Sequence, residues 1–162
     1  HWQVALDEGG DDSAWQPSRR WSRQVVQATL AAPSARIAGG RVLELTLRLC
    51  SNDEIQALNR DFRQQDKATN VLSFAAEAMP LHYGKRDDLG AVVLALPYLL
   101  DEARKQGKTP RDHWTHLLVH GVLHLLGYDH IAPDDAVQME SLEQTILAKL
   151  GVADPYLETT LQ

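Results

Sequence analysis

Residues 120–130 read His-Gly-Val-Leu-His-Leu-Leu-Gly-Tyr-Asp-His, and they place three histidines and two glycines at fixed intervals in an otherwise mostly apolar run. The run predicts a buried helix in which His120 and His124 stand one turn apart on the same face. Gly127 favours the left-handed conformation that ends a helix, so the chain turns back and brings His130 towards the first two. Three imidazoles with an open fourth position are typical of a catalytic zinc site. The stretch therefore predicts a metal centre at the end of a central helix.

The same histidine spacing occurs in zinc peptidases, whose long signature has His at its first, fifth and eleventh places. Those enzymes need a glutamate directly after the first His as a general base. Here that position is Gly121, which counts against a peptidase. A glycine inside a helix costs about 1 kcal/mol relative to alanine. We therefore expect either a packed strand or a substrate to approach the helix closely at this residue.

Strand and helix patterns alternate on both sides of this stretch. The alternation predicts an α+β fold of the α/β-sandwich type, with a small mixed sheet of about four strands and about five packed helices in a single domain over residues 1–162. The predicted elements, in chain order, are an edge strand Gln3–Asp7, a helix Ser18–Ala31, a strand Arg41–Cys50, a helix opened by a capping box at Ser51–Glu54, a strand Thr69–Phe74, a strand Leu89–Leu96, a helix Tyr98–Gln106 after Pro97, a helix from Asp112 to about Leu126, and a helix from Pro133 to Leu150.

Four predictions concern where particular side chains lie. The alternating pattern of Arg41–Cys50 indicates a half-buried strand with one polar face. Phe62 belongs to the inward stripe of its helix. Tyr83 lies in a long connection and is expected to be solvated, and His113 is expected to be exposed at a helix N-terminus.

Composition sets limits on the class of protein. Hydrophobic residues make up 44% of the 162 residues, which indicates a globular chain. Cys50 is the single cysteine, so an internal disulfide is excluded and a reducing compartment such as the cytoplasm is favoured. No run approaches the roughly 20 apolar residues of a membrane span, and no signal-peptide pattern is present.

The charges are unevenly distributed. The net charge of −6 argues against a protein that coats nucleic acid by bulk attraction. Residues 19–67, however, hold nine basic and five acidic side chains, whereas residues 101–162 hold five and ten. A local basic surface near Arg63 is therefore predicted. The alternative for Arg63 is a surface salt bridge, with Asp66 as the nearest candidate.

Several further motifs accompany the histidine stretch. They are Leu58-Asn59, Phe62-Arg63, Asp66-Lys67, Thr69-Asn70-Val71-Leu72-Ser73-Phe74, Gln106-Gly107-Lys108 and Asp154-Pro155-Tyr156. Together with residues 120–130 they cover nearly the whole chain. In these motifs and in their spacing the sequence resembles the YbeY-type rRNA maturation endoribonucleases.

The resemblance implies a metal-dependent hydrolase of the bacterial cytoplasm that cuts single-stranded RNA. Its expected role is maturation of the 3′ end of 16S ribosomal RNA and ribosome quality control. The expected partners are ribosomal RNA, small-subunit proteins and an assembly GTPase, with no membrane and no DNA. His120, His124 and His130 are expected to hold one Zn²⁺, although three imidazoles also accept other divalent transition metals. Arg63 is expected to stabilise the phosphate, and Lys67 to add phosphate attraction.

One position departs from the family pattern, which places an acidic residue after Leu89-Gly90. This chain has Ala91 there, and if that acid orients a ligand or water, activity is weakened or arranged differently. Asp129 and Asp134 are both candidates to accept the second N–H of a ligating imidazole. His116, four residues before His120, is interpreted as a supporting or surface residue rather than a ligand.

Two other functions remain open at this point. The first alternative is an RNA-binding ribosome assembly factor whose metal is structural. The second is a zinc peptidase, which Gly121 counts against. A structural metal predicts that chelation unfolds the chain and that RNA binding does not need Arg63.

Overall fold

The structure, a computed structural model, describes residues 15–32, 44–80, 83, 89–128 and 131–155, together with the backbone of residues 2–5. Within these residues the chain forms four strands and five α-helices, and strands and helices alternate from β1 to β3. They are β1 (Trp2–Ala5), α1 (Arg19–Ala31), β2 (Thr46–Cys50), α2 (Asn52–Arg63), β3 (Val71–Ala75), β4 (Gly90–Ala95), α3 (Leu96–Gln106), α4 (Pro110–Leu125) and α5 (Pro133–Lys149). None of these helices is long and apolar enough to span a membrane.

The strands form one mixed sheet in the order β1-β2-β4-β3. β1 is parallel to β2 and β2 is parallel to β4, whereas β3 is antiparallel to β4, with Ser73 opposite Val92. This small mixed sheet with packed helices confirms the predicted α+β class. β1 is an edge strand, as predicted, and residues 6 and 7 of that prediction lie outside the described residues.

The central strand β4 is buried along its whole length, as its continuous apolar sequence predicts. Val92 and Leu94 pack in a layer with α1, α4 and α5, whereas the odd-numbered residues from Ala91 to Ala95 pack in a second layer with α2. The alternation follows from the two-residue period of a strand. The sheet therefore separates an α4 side from an α2 side, and neighbouring residues of β4 face different chemistry.

Strand β2 differs from its prediction, which gave a longer strand with one polar, exposed face. The strand begins at Thr46, and residues 41–43 lie outside the described residues. Thr46 belongs to the predicted polar face but is fully buried. Arg48, on the same face, lies with its guanidinium carbon 4.5 Å from the centroid of the Tyr83 ring. The half-buried interpretation is wrong because α2 and Tyr83 cover this side of the sheet.

Helix α4 is the central helix, as predicted from the apolar residues that are distributed almost all round it. It begins at Pro110, two residues before the predicted Asp112, because the Thr109 hydroxyl accepts the Asp112 backbone N–H and caps the helix. The helix contacts α1, α3, α5, β3 and β4. Just past its end, Gly127 has a φ of 94°, the left-handed conformation that the sequence predicts.

Three side-chain predictions are wrong. Phe62 is 41% exposed rather than inward, although its ring packs edge-on against β3. Tyr83 is 2% exposed rather than solvated, and its hydroxyl donates to Glu54 Oε2 over 2.5 Å. His113 is buried rather than exposed, with Nε2 2.6 Å from Glu102 Oε1. Each of these partners comes from a separate element of the fold, which local periodicity does not report.

Candidate metal centre and cleft

The two described histidines of the predicted metal centre meet on one face of α4. Nε2 of His120 and Nε2 of His124 lie 3.0 Å apart, and the ring centroids are 4.6 Å apart. The four-residue spacing on a helix produces this approach, as the sequence predicts. Both rings are half-buried and line the same cleft.

The donor set fits a divalent transition metal. Two imidazole nitrogens that bind one tetrahedral ion at about 2.0–2.1 Å lie about 3.3 Å apart, close to the observed separation of the Nε2 atoms. His130, the third predicted ligand, lies outside the described residues. Among the residues that are described, no three histidine, cysteine or carboxylate side chains form a metal-binding group. The assignment of His120, His124 and His130 as ligands stays a prediction.

A buried carboxylate supports the first imidazole. Glu143 of α5 is buried, and its Oε1 lies 2.5 Å from Nδ1 of His120. Its Oε2 lies 3.3 Å from Nε2 of His116, which agrees with the interpretation of His116 as a supporting residue. A carboxylate on Nδ1 fixes the tautomer that presents Nε2, an arrangement common behind metal-binding histidines. The structure therefore gives His120 an anchor on its far side.

The sequence did not identify this carboxylate. Of the two candidates weighed, Asp134 is exposed and Asp129 lies outside the described residues. Glu143 sits three residues before Ile146 and four after Met139, both of which are buried core residues. A charged residue in an apolar helical stripe is seldom buried without a partner, and this signal pointed to Glu143.

Arg63 and the two imidazoles line one cleft with a volume of about 780 Å³. Nη2 of Arg63 donates to the Ser73 carbonyl oxygen over 2.7 Å, and the guanidinium carbon lies 5.0 Å from the ring centroid of Phe74. The predicted alternative, a salt bridge with Asp66, is not present, and the Asp66 carboxylate accepts from Gln56 instead. Within the described residues only one of the five guanidinium donors of Arg63 is used.

The glycine after the first histidine is explained by packing. A Cβ on Gly121 would lie 2.7 Å from Val92 Cγ1, 3.2 Å from Val71 Cγ2 and 3.3 Å from Ser73 Oγ. Of the two expectations, a packed strand or a substrate, the structure shows the strand. The Ser73 hydroxyl donates to the Gly121 carbonyl oxygen over 2.8 Å. Ser73 therefore joins β3 to α4 through its side chain and holds Arg63 through its carbonyl.

Two other sequence-identified residues do not reach the imidazoles. Lys67 is exposed and is not among the residues that line the cleft, so its proposed phosphate contact stays a prediction. Ala91 is fully buried in the layer on the α2 side of the sheet, beside Thr46 in register. Val92, the next residue, is the one that meets α4. A side chain at position 91 therefore points to the α2 side of the sheet rather than to the imidazoles, and the expected effect of Ala91 on activity stays a prediction.

The fold and the cleft define an α+β protein in which two histidines and an arginine line one cleft. Residues 10–151 match the family model described as Endoribonuclease YbeY. The chain therefore belongs to the endoribonuclease YbeY family.

Individual relatives carry the same name. An Endoribonuclease YbeY of Halorhodospira halophila is 54% identical over 122 residues, which cover 75% of this chain and 79% of the relative. One of Rhizorhabdus wittichii is 43% identical over 156 residues, or 90% and 92% of the two chains. The solution structure of TM1509 from Thermotoga maritima is similar in fold, with a TM-score of 0.53 at 20% identity over 96% of this chain and 99% of that one.

Proposed function

We propose that this chain is a metal-dependent endoribonuclease that cuts single-stranded RNA in the maturation of ribosomal RNA. The observation that carries the proposal is the shared cleft, in which Arg63 lies with His120 and His124. The family name of the relatives supports the reaction class. The proposed ligands of one Zn²⁺, or of another divalent transition metal, are His120, His124 and His130.

The chain's own groups then have distinct tasks. When bound, a divalent ion of this kind acts as a Lewis acid that activates water near neutral pH. Arg63 binds the phosphate oxygens, and its planar guanidinium stabilises the negative charge that develops as the phosphodiester is attacked. Glu143 holds His120 through Nδ1, so that Nε2 is turned to the cleft. Lys67 adds positive charge outside the cleft and attracts the RNA backbone.

The peptidase alternative finds no support in the structure. The position that carries the general base of zinc peptidases is Gly121, and it lies against Val92 and Ser73 of the sheet. A Cβ there would already lie 2.7 Å from Val92 Cγ1, so a glutamate at this place has no room. The alternative of a structural metal is distinguished from the ribonuclease by the cleavage and chelation experiments described below.

The proposed setting is the bacterial cytoplasm, with the 3′ end of 16S ribosomal RNA as substrate and ribosome quality control as the wider role. Small-subunit proteins and an assembly GTPase are the proposed partners. The single cysteine supports a reducing compartment, and the family resemblance supports the substrate and the partners.

The test is cleavage of a labelled single-stranded RNA by metal-loaded wild type, Arg63→Glu, His124→Ala and metal-free wild type. Arg60→Glu is the matched control, because Arg60 lies on the same helix, is exposed and pairs with Asp61. We expect cleavage by metal-loaded wild type and Arg60→Glu, and a loss of roughly a hundredfold or more in the other three samples.

Equal cleavage by all samples would assign the activity to a contaminating nuclease. No cleavage by metal-loaded wild type, combined with a large drop in melting temperature on chelation, would favour the structural-metal alternative. RNA binding that is unchanged in Arg63→Glu would support that same alternative.

A further inference from the structure

A second polar constellation reaches the cleft from the side of α3. Asn70, the residue before β3, lines the cleft together with Arg63 and the histidines. Its backbone is fixed, because the Asn70 carbonyl oxygen accepts the N–H of Ala95 over 3.0 Å. Its side-chain Nδ2 donates to Glu102 Oε1 over 3.0 Å. Asn70 is therefore held at both its main chain and its side chain.

The carboxylate behind Asn70 is itself held by a buried histidine. Glu102 Oε1 also lies 2.6 Å from Nε2 of His113, which is 3% exposed. The hydrogen bond from His113, against the opposing effect of burial, lowers the pKa of Glu102, and the bond from Asn70 lowers it further. Glu102 is therefore ionised at neutral pH and only accepts hydrogen bonds.

This charge fixes which way the amide of Asn70 faces. An ionised carboxylate accepts only from Nδ2, so Oδ1 is turned away from Glu102. In the part of the chain that the structure describes, Oδ1 of Asn70 has no hydrogen-bond partner, and Nδ2 uses one of its two donors. Asn70, a residue that lines the cleft, thus keeps an oriented acceptor and a spare donor. A phosphate only accepts hydrogen bonds, so it would bind the spare N–H of Nδ2 and leave Oδ1 without a donor.

We propose that Asn70 is a specificity-determining residue that binds a nucleobase edge of the RNA strand, and that Glu102 and His113 are positioning residues for it. The inference rests on the proposed function. A planar amide with an adjacent donor and acceptor matches the donor and acceptor groups of a base edge, and asparagine reads bases in this way. Bases splayed out of a single strand expose such edges. His113 lies seven residues before His120 on α4, about 10 Å along the helix, which is within the reach of neighbouring nucleotides.

The test measures binding of short labelled RNAs made only of A, only of C or only of U to the metal-free chain, where cleavage does not interfere. The variants are Asn70→Ala, which removes the amide, and Glu102→Ala, which leaves the amide but removes its anchor. Asp101→Ala is the matched control on α3, because Asp101 pairs with Arg104 and Lys105 at the surface. Arg63→Glu reports on backbone binding.

We expect wild type and Asp101→Ala to bind the three RNAs with affinities that differ by roughly tenfold between the best and the worst. Asn70→Ala should bring the ratio of the best to the worst affinity close to one, and Glu102→Ala should reduce that ratio. The melting temperature of Asn70→Ala should be nearly unchanged. Equal affinities of wild type for all three RNAs would overturn the inference, as would a uniform loss in Asn70→Ala. If Arg63→Glu weakens binding in either of those cases, the proposed function stands while the inference fails. No RNA binding by any sample would overturn both.

Discussion

Nδ1 of His120 lies 2.5 Å from Oε1 of Glu143, a carboxylate that α5 carries into the interior of the protein. The contact joins the last helix to the central helix at the residue predicted to be the first metal ligand. Carboxylates in this position orient the imidazole and raise its basicity, and their loss typically lowers metal affinity by about 10–100-fold.

We therefore expect Glu143→Ala to weaken Zn²⁺ binding by roughly tenfold or more. Glu143→Gln should cost less, because its amide oxygen still accepts from Nδ1. The measurement is competition with a chromophoric chelator. Glu140→Gln, an exposed change on the same helix, is the control. Metal affinity that is unchanged in Glu143→Ala would contradict the role of this carboxylate.

Gly121→Ala should destabilise the protein although alanine favours helices. The new Cβ would lie 2.7 Å from Val92 Cγ1, and overpacking of this kind costs about 1–3 kcal/mol against about 1 kcal/mol gained in helix propensity. The measurement is the free energy of unfolding in urea. In a Val92→Ala background the same change should cost less, since the clashing methyl group is absent. Equal costs in both backgrounds would show that the close approach to β4 is not the cause.

Cys50 should be inert in the folded protein. Burial raises the pKa of its thiol to about 12, and the nearby Glu54 carboxylate raises it further. The thiolate is the reactive form, so almost none is present at neutral pH. We expect a disulfide reagent to modify no thiol in the native protein and one thiol per chain in denaturant. Rapid modification of native protein would contradict the buried environment.

Tyr83 should make stability fall at alkaline pH. Burial, with the hydrogen bond to Glu54 as the next cause, raises the pKa of the Tyr83 hydroxyl above the ordinary value of 10.0. The folded chain therefore keeps a proton that the unfolded chain releases, so this stabilisation is complete below that value and is lost as the pH rises above it. Urea denaturation of wild type should show a larger loss between about pH 8 and about pH 11 than Tyr83→Phe shows.

At neutral pH, Tyr83→Phe should cost about 1 kcal/mol, the usual net contribution of one hydrogen bond. The Arg48 guanidinium still binds Glu54 in that variant, through Nε at 2.5 Å. A loss of stability with pH that is the same in both proteins would show that Tyr83 is not the group responsible.

Most of the secondary structure follows from the sequence, because its signals are local. Ser18 caps α1, Ser51 caps α2, and Gly107 ends α3 with a φ of 69°, each at or within a residue of the predicted boundary. The continuous apolar run of β4 and the mostly apolar sequence of α4 also report burial directly. These elements need no knowledge of their neighbours, since caps and periodicity act within a few residues.

Contacts between side chains of different elements depend on the tertiary structure. His120 and His124 are neighbours on any helix, so their pairing was predictable from spacing. Glu143 reaches His120 from 23 residues away, and Arg63 enters the same cleft because β3 passes between α2 and α4 and Ser73 contacts both.

The buried sites of Tyr83 and His113 have the same origin. Their partners, Glu54 and Glu102, lie on other elements. Each contact forms only because those elements pack side by side. Local sequence was sufficient for most of the elements, for their apolar faces and for the spacing of the imidazoles. The packing of α2 and α5 around the sheet and α4 brought Arg63 into the cleft and Glu143 against His120, because contacts between distant residues are set by the relative placement of whole elements.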